Sequence, residues 1–142
     1  MTGLASNSGA RENGCMEENR PSRTAQGAAI HRAAHQFLDK PPVFADPLAL
    51  PIIGGEAAIE LEARRNDLYP DGRSNSLRAL IAARSRLSED TLAEAAAEGV
   101  RQYVLLGAGL DTFAYRAGHN FRGLCVFEVD HPATQNWKRA RV

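Results

Sequence analysis

The sequence predicts an α/β protein in which a helical N-terminal region precedes the first β-α-β unit of a Rossmann-like sheet. Alanine and larger apolar residues recur at helical spacing over residues 24–98. Two short apolar runs, 103–106 and 124–129, then flank a glycine turn and a short helical stretch. Two parallel strands cannot form a sheet buried on both faces. We therefore expect a sheet that is incomplete at the C-terminus, as in a truncated product or a fragment of a longer protein.

The composition is that of a single globular domain, since 44% of the 142 residues are hydrophobic and 24% are charged. Because 17 Lys and Arg balance 17 Asp and Glu, we expect no nucleic-acid partner and no attraction to acidic lipid. No apolar run reaches the about 18 residues of a membrane span. The first residues lack the apolar core of a signal peptide, and two cysteines are too few for a disulfide framework, so we expect a cytoplasmic protein.

Three parts are predicted along the chain: a disordered leader over 1–21, a helical region over 22–99, and the start of a Rossmann-like domain over 100–142. The helical region contains four predicted helices, which cover 24–38, 46–53, 56–68 and 75–98. The polar residues 88–90 are expected to break the last of these in two, and Gly99 is well placed to end it.

Strands are predicted over 102–106 and 124–129. Cys125 begins the core of the second strand, where we expect it to be buried as a small hydrophobic residue. A final helix is predicted from Pro132 and is still running at Val142.

The glycine turn is the most informative segment of the chain. Gly107 and Gly109 directly follow the first strand, at the carboxyl edge of the predicted sheet. Tight strand-to-helix turns use backbone angles that a Cβ resists, and a bare backbone also lets a ligand approach closely. In α/β proteins, this edge is where a nucleoside or a small anion binds.

An acidic residue at the end of the second strand strengthens this interpretation. Asp130 lies 21 residues after Gly109, and an acid at about that distance reaches the ribose hydroxyls of a bound nucleoside. A carboxylate accepts hydrogen bonds from two vicinal hydroxyls at once. The alternative is that Asp130 or His131 only caps the helix that begins at Pro132. The two roles are compatible.

A metal site is weighed and not expected. His31 and His35 are four residues apart and share a face of the first helix. However, no glutamate follows the first histidine, and the sequence offers no evident third ligand.

Two segments resemble a known family. Residues 103–116 read YVLLGAGLDTFAYR, which resembles the core motif of the leucine carboxyl methyltransferase family. Residues 127–132, FEVDHP, with Lys138 further on, resemble the second block of that family. The pairs 24–25 and 32–33, the segment 46–49 and the helix bearing Arg84 fit its bacterial branch. The resemblance extends over residues 22–142.

The resemblance implies a class I methyltransferase fold with S-adenosyl-L-methionine as the methyl donor. By this resemblance, Gly107 and Gly109 line the methionine end of the cofactor, and Asp130 holds its ribose. Arg84 matches an arginine that contacts the methionine carboxylate. Arg86 is the alternative match, and both arginines also fit a solvated helix face.

Two other residues of the motif are expected to have structural roles, and one position departs from the pattern of class I methyltransferases. We expect Asp111 and Arg116 to structure the turn. Leu105 stands two residues before the first glycine, where the wider class often carries an acid.

The implied reaction is O-methyl transfer to a carboxylate or another small-molecule acceptor. A carboxylate is ionised at neutral pH and needs no general base, so positioning and desolvation would suffice. A hydroxyl or amine acceptor would need a base, and no histidine of the sequence has a claim to that role. We therefore assign no catalytic residue, no metal ligand and no oligomeric state.

Two alternatives to an active methyltransferase remain at this point. A nicotinamide- or flavin-binding domain uses the same turn and acid, although Thr112 occupies the position of the third glycine of its fingerprint. The chain could also be an inactive remnant or an interaction module, because an incomplete sheet exposes an edge and lacks half of a cofactor pocket.

Overall fold

The computed structural model describes residues 20–63, 72–117 and 121–142. The predicted leader falls outside the described residues apart from its last two, as does the predicted continuation of the third helix to residue 68. The helices and strands are α1 (Arg23–Leu38), α2 (Ala49–Ile53), α3 (Gly55–Ala63), α4 (Gly72–Ala97), β1 (Gln102–Leu106), α5 (Phe113–Arg116), β2 (Cys125–Val129) and α6 (Pro132–Arg139).

The two strands form the parallel sheet that the sequence predicts. Tyr103 pairs with Val126 and Leu105 pairs with Glu128, so the register is constant along both strands. The crossover between the strands contains the glycine turn and α5. The β-α-β unit and the preceding helical layer are thereby confirmed.

The helical layer packs around the small residues of α1. Ala29, Ala33 and Ala34 are fully buried, and they belong to one apolar cluster with the equally buried Ile52 of α2. Alanine at these positions allows close approach of the helices because it carries only a methyl group. Leu110, from the glycine turn, belongs to the same apolar cluster and is 2% exposed. Apolar burial therefore ties the turn to the helices.

A second apolar cluster lies under the sheet. Phe113 of α5 is buried, and its ring makes edge contacts with Tyr103 and Phe121 at centroid distances of 5.3 and 5.2 Å. Leu92 of α4 belongs to this cluster, which fixes the long helix against the inner face of the sheet.

The other face of the sheet is exposed in the described structure. Side chains alternate across a strand, and every second residue of β1 and β2 is exposed. Leu106 is 79% exposed and Val129 is 53% exposed. Cys125 shares this face and is exposed, so the prediction of a buried Cys125 is wrong. The strand itself was predicted correctly, but other residues of the described structure pack against only one of its two faces.

Two predicted helix limits are also wrong. No break occurs at 88–90, because α4 runs without interruption from Gly72 to Ala97. Ser88 donates to the carbonyl of Arg84 at 2.9 Å, and Arg86 pairs with Asp90 one turn on, so these polar residues are accommodated on the helix surface. The last helix ends at Arg139, where the N–H of Ala140 closes onto the carbonyls of the preceding turn.

Hydrogen-bonded side chains fasten α1 to α4. The Asp39 carboxylate accepts from Arg78 Nε at 2.8 Å and from Arg78 Nη2 at 3.0 Å. His35 Nδ1 contacts Asp39 at 2.7 Å, and its Nε2 accepts from the N–H of Phe44 at 3.3 Å. Both ring nitrogens of His35 are therefore hydrogen-bonded within the protein.

Within the described ranges, no helix is both long and apolar enough to cross a bilayer.

The Asp39 cluster predicts how stability depends on pH. The hydrogen bond from Arg78, assisted by His35, holds the pKa of Asp39 below its ordinary value even though burial opposes this. Because the folded-state pKa is the lower one, ionised Asp39 stabilises the fold above about pH 4, and this contribution disappears as the pH falls through the depressed pKa. Asp39→Asn is therefore expected to lower the free energy of unfolding at pH 7 and to flatten its loss on acidification.

Urea denaturation at neutral and acidic pH measures this effect. Asp90→Asn is the matched control, because the Arg86–Asp90 pair has side chains 59% and 53% exposed and contributes little. Equal acid-induced losses in wild type and Asp39→Asn would contradict the assignment.

Candidate functional site

A cleft of about 510 Å³ lies at the carboxyl ends of the two strands. One wall is the glycine turn, and the other is the N-terminal part of α1. The four predicted site residues all line this cleft, and they are Arg84, Gly107, Gly109 and Asp130. They come from α4, from the turn and from the end of β2, so the fold brings together residues up to 46 positions apart in the sequence, from 84 to 130.

The glycine turn adopts backbone angles that favour glycine. Gly107 has φ +65° and Gly109 has φ +54°, both in the left-handed region. The N–H groups of Gly107 and Ala108 both donate to the carbonyl of Val129, at 2.8 and 3.1 Å. The first half of the turn is thus held to the end of β2.

Space beside Gly109 is also limited, because α1 lies against it. A Cβ on Gly109 would stand 3.3 Å from the Cβ of Ala25, whereas a Cβ on Gly107 would meet nothing within 4 Å. The turn and the helix wall therefore define the width of the cleft at this point.

Asp130 holds the second half of the turn. Its Oδ2 accepts from the N–H of Gly109 at 2.6 Å, and its Oδ1 accepts from the N–H of His131 at 2.6 Å. The cap of α6 is His131, whose Nδ1 accepts from the N–H of Ala133 at 3.2 Å. Asp130 thus faces the cleft and does not cap the helix, and each of its oxygens keeps a lone pair for a ligand hydroxyl.

The two candidate arginines separate in the structure. Arg84 lines the cleft, and no described residue forms an ion pair with its guanidinium. Arg86 pairs with Asp90 at 2.7 Å and lines a second groove, of about 600 Å³. That groove lies by Val100 and Leu124, at the opposite ends of the strands. Although it is the larger of the two, it contains neither the turn nor an acid at the carboxyl ends.

The wall formed by α1 was not predicted from the sequence. Ser22, Thr24, Ala25 and Ala28 line the cleft, and Ser22 Oγ caps the helix by accepting from the N–H of Ala25 at 3.1 Å. The capping pattern at Ser22 was readable from the sequence. However, Ser22 lies about eighty residues before the glycine turn, and no local sequence pattern indicates that the two segments face each other.

Asp111 and Arg116 make contacts that structure the turn, as expected: Arg116 Nε donates to the hydroxyl of Thr112 at 2.8 Å. Asp111 Oδ1 accepts from the N–H of Phe113 at 2.7 Å, which starts α5. Asp111 also lines both the cleft and an adjoining chamber of about 120 Å³ that reaches Tyr103. Burial, with the charges of Asp111 and Glu89, raises the pKa of Tyr103. The phenol therefore stays neutral at physiological pH.

A parallel β-α-β unit with a glycine turn and an acid at the end of the next strand defines the class of α/β proteins that bind ligands outside the carboxyl ends of the strands. The sequence model of the family described as leucine carboxyl methyltransferase matches residues 25–142. The chain belongs to the leucine carboxyl methyltransferase family, which confirms the resemblance of its motifs.

Several bacterial relatives are similar to the chain. "Putative S-adenosyl-L-methionine-dependent methyltransferase YktD" of Bacillus subtilis is 33% identical over an alignment that covers 89% of this chain and 48% of the relative. A protein of Mycobacterium avium with the same description is 36% identical, over 78% of this chain and 38% of that protein. FRAAL3718 of Frankia alni is 39% identical, over 75% and 37% respectively. The chain thus spans half or less of the length of these relatives.

The two glycines of the turn form a matched pair for mutagenesis. Alanine at either position is strained by about 1 kcal/mol because φ is positive. Gly109→Ala adds a contact with Ala25 that Gly107→Ala lacks, so Gly109→Ala is expected to lower the free energy of unfolding more. Urea denaturation of both variants measures the difference.

The contact itself can be tested by removing its partner. Ala25→Gly is expected to recover part of the loss in the Gly109→Ala background and none in the Gly107→Ala background. Equal losses in the two alanine variants would mean that α1 does not bear on the turn.

Proposed function

We propose that the chain carries the cofactor half-site of an S-adenosyl-L-methionine-dependent methyltransferase. The observation that carries this proposal is the convergence of Gly107, Gly109, Asp130 and Arg84 on one cleft. The resemblance of the motifs to the family implies the same four residues as cofactor contacts, and the chain matches that family over residues 25–142. When bound, S-adenosyl-L-methionine supplies an activated methyl group on a sulfonium.

The chemistry of the cleft fits the two ends of this cofactor. Asp130 offers free lone pairs to vicinal ribose hydroxyls, while the glycine turn gives backbone access beside it. Arg84 offers a guanidinium that pairs with no acid among the described residues, which suits the α-carboxylate of the methionine end. Asp111 adds a negative charge to the same wall, where an ammonium group has to be accommodated.

The acceptor in this proposal is a carboxylate or another small molecule. Among the described residues of the cleft no histidine is available as a base, which suits an acceptor that is already ionised. The residues of the chain then act by binding and orienting the reactants and by excluding water. We further propose that the protein works in the cytoplasm and has no nucleic-acid partner, in line with its balanced charge.

A dinucleotide ligand is less well supported. Thr112, at the third glycine position, is buried, and its hydroxyl donates to Asp46 at 2.7 Å. The helix that follows, α5, has only four residues, so it offers little of the dipole that a pyrophosphate uses in dinucleotide-binding domains. NAD is therefore expected not to bind.

Arg84 and Arg86 provide a matched pair of variants to test the cleft. Binding of S-adenosyl-L-methionine and of 5′-methylthioadenosine, which lacks the amino-acid end, can be followed by ligand-detected NMR titration. Arg84→Ala is expected to weaken the first ligand about tenfold, through loss of a charge-assisted hydrogen bond, and to leave the second unchanged. Arg86→Ala is expected to change neither.

Asp130 separates the ribose contact from the carboxylate contact. Asp130→Asn is expected to weaken both ligands, because both carry the ribose hydroxyls. If wild type binds NAD but not S-adenosyl-L-methionine, the proposed function is wrong. If Arg86→Ala weakens S-adenosyl-L-methionine and Arg84→Ala does not, the assignment of the arginine is wrong.

A further inference from the structure

A buried network of charged and polar side chains lies behind the glycine turn. Its five members come from four segments that are distant in the sequence, and most of their polar atoms are shielded from water. They are Arg32 of α1, Asp46 of the loop before α2, Glu89 of α4, Thr112 after the turn, and Arg116 of α5.

Asp46 is the centre of the network. Its side chain is 0% exposed, and its Oδ2 accepts from Arg32 Nε at 2.7 Å and from the hydroxyl of Thr112 at 2.7 Å. Its Oδ1 accepts from the N–H of Leu48 at 3.0 Å and lies 3.3 Å from Arg116 Nε. A buried carboxylate with so many donors is compensated, whereas the same carboxylate without them would be costly.

Arg32 connects this centre to the backbone of the turn. While its Nε binds Asp46, its Nη2 donates to the carbonyl of Leu110 at 2.6 Å. The planar guanidinium fixes both bonds in one geometry, which a lysine could not reproduce. The carbonyl of Leu110 is therefore held on the side of the turn that faces α1.

Thr112 links the centre to the far end of the network. Its hydroxyl donates to Asp46 and accepts from Arg116 Nε at 2.8 Å. Arg116 Nη2 donates to Glu89 at 2.5 Å, and its guanidinium lies 5.1 Å from the ring centroid of Phe44. Two arginines and two acids balance in charge, so the network is neutral as a whole.

We propose that this network positions the glycine turn, and that the Thr112 hydroxyl couples its two halves. The turn is clamped from both sides: Val129 and Asp130 hold its N–H groups, while Arg32 holds the carbonyl of Leu110. Arg32 is the member of the network that also lines the cleft, whereas Asp46, Thr112 and Arg116 lie behind the turn. The network fixes the backbone that a ligand approaches, and its effect on ligand binding rests on the proposed function.

The test compares Thr112→Val with Thr112→Ser. Valine keeps the shape of threonine and removes the hydroxyl, whereas serine keeps the hydroxyl and removes a methyl group. Thr91→Val, at an exposed threonine of α4, is the matched control. The readouts are NMR-detected hydrogen exchange of each backbone amide and the affinity for S-adenosyl-L-methionine.

Thr112→Val is expected to speed amide exchange at Gly109 and Asp111, whose N–H groups are hydrogen-bonded, about tenfold, the effect of losing a hydrogen bond, with little change in α1 and α4. Affinity for S-adenosyl-L-methionine is expected to fall by about the same factor. Thr112→Ser is expected to keep both the exchange rates and the affinity near their wild-type values, and Thr91→Val is expected to change neither.

Two results would overturn the proposal. One is an equal acceleration of exchange in the turn and in the helices, because this would indicate a general role in stability. The other is unchanged exchange in the turn. If Thr112→Val does not fold, Glu89→Gln replaces it. This substitution lies at the more exposed end of the network, so it is expected to speed amide exchange in the turn by a smaller factor, and the same two results would overturn the proposal. Since hydrogen exchange needs no ligand, it decides on the positioning role even if S-adenosyl-L-methionine does not bind.

Discussion

The close approach of the glycine turn to α1 is the constraint on which the rest of the cleft depends. A Cβ on Gly109 would stand only 3.3 Å from the Cβ of Ala25, so a side chain there would crowd the helix wall. This contact connects the helical layer to the sheet, because Leu110, the next residue, enters the core of the helices. The cleft is therefore formed jointly by both layers.

Charge and apolar burial act on the turn together. The apolar side chain of Leu110 is sequestered among alanines, while its carbonyl is bound by a buried arginine. Burying Arg32 and Asp46 is costly unless their geometry is satisfied, so the network is compatible with few arrangements of the turn.

The sequence predicts local features well and long-range pairs poorly. The strands, the turn and the acid at 130 follow from apolar runs, glycine spacing and the family motif, and the structure gathers Arg84 with them. The bonds from Thr112 to Asp46 and from Arg32 to Leu110 span 66 and 78 residues, and no local pattern reports them. The exposure of Cys125 was missed because apolar alternation cannot say which faces of a sheet are covered. The roles of the cleft residues in cofactor binding stay predictions.

The central claim is that the cleft beside the glycine turn, and not the second groove, takes S-adenosyl-L-methionine. Chemical-shift mapping of the backbone amides during a titration with this ligand tests the claim most directly. Perturbations are expected to be confined to residues 107–111, to Asp130 and to the first turn of α1. Perturbations centred on Ala96, Phe121 and Leu124, which line the second groove, would contradict it.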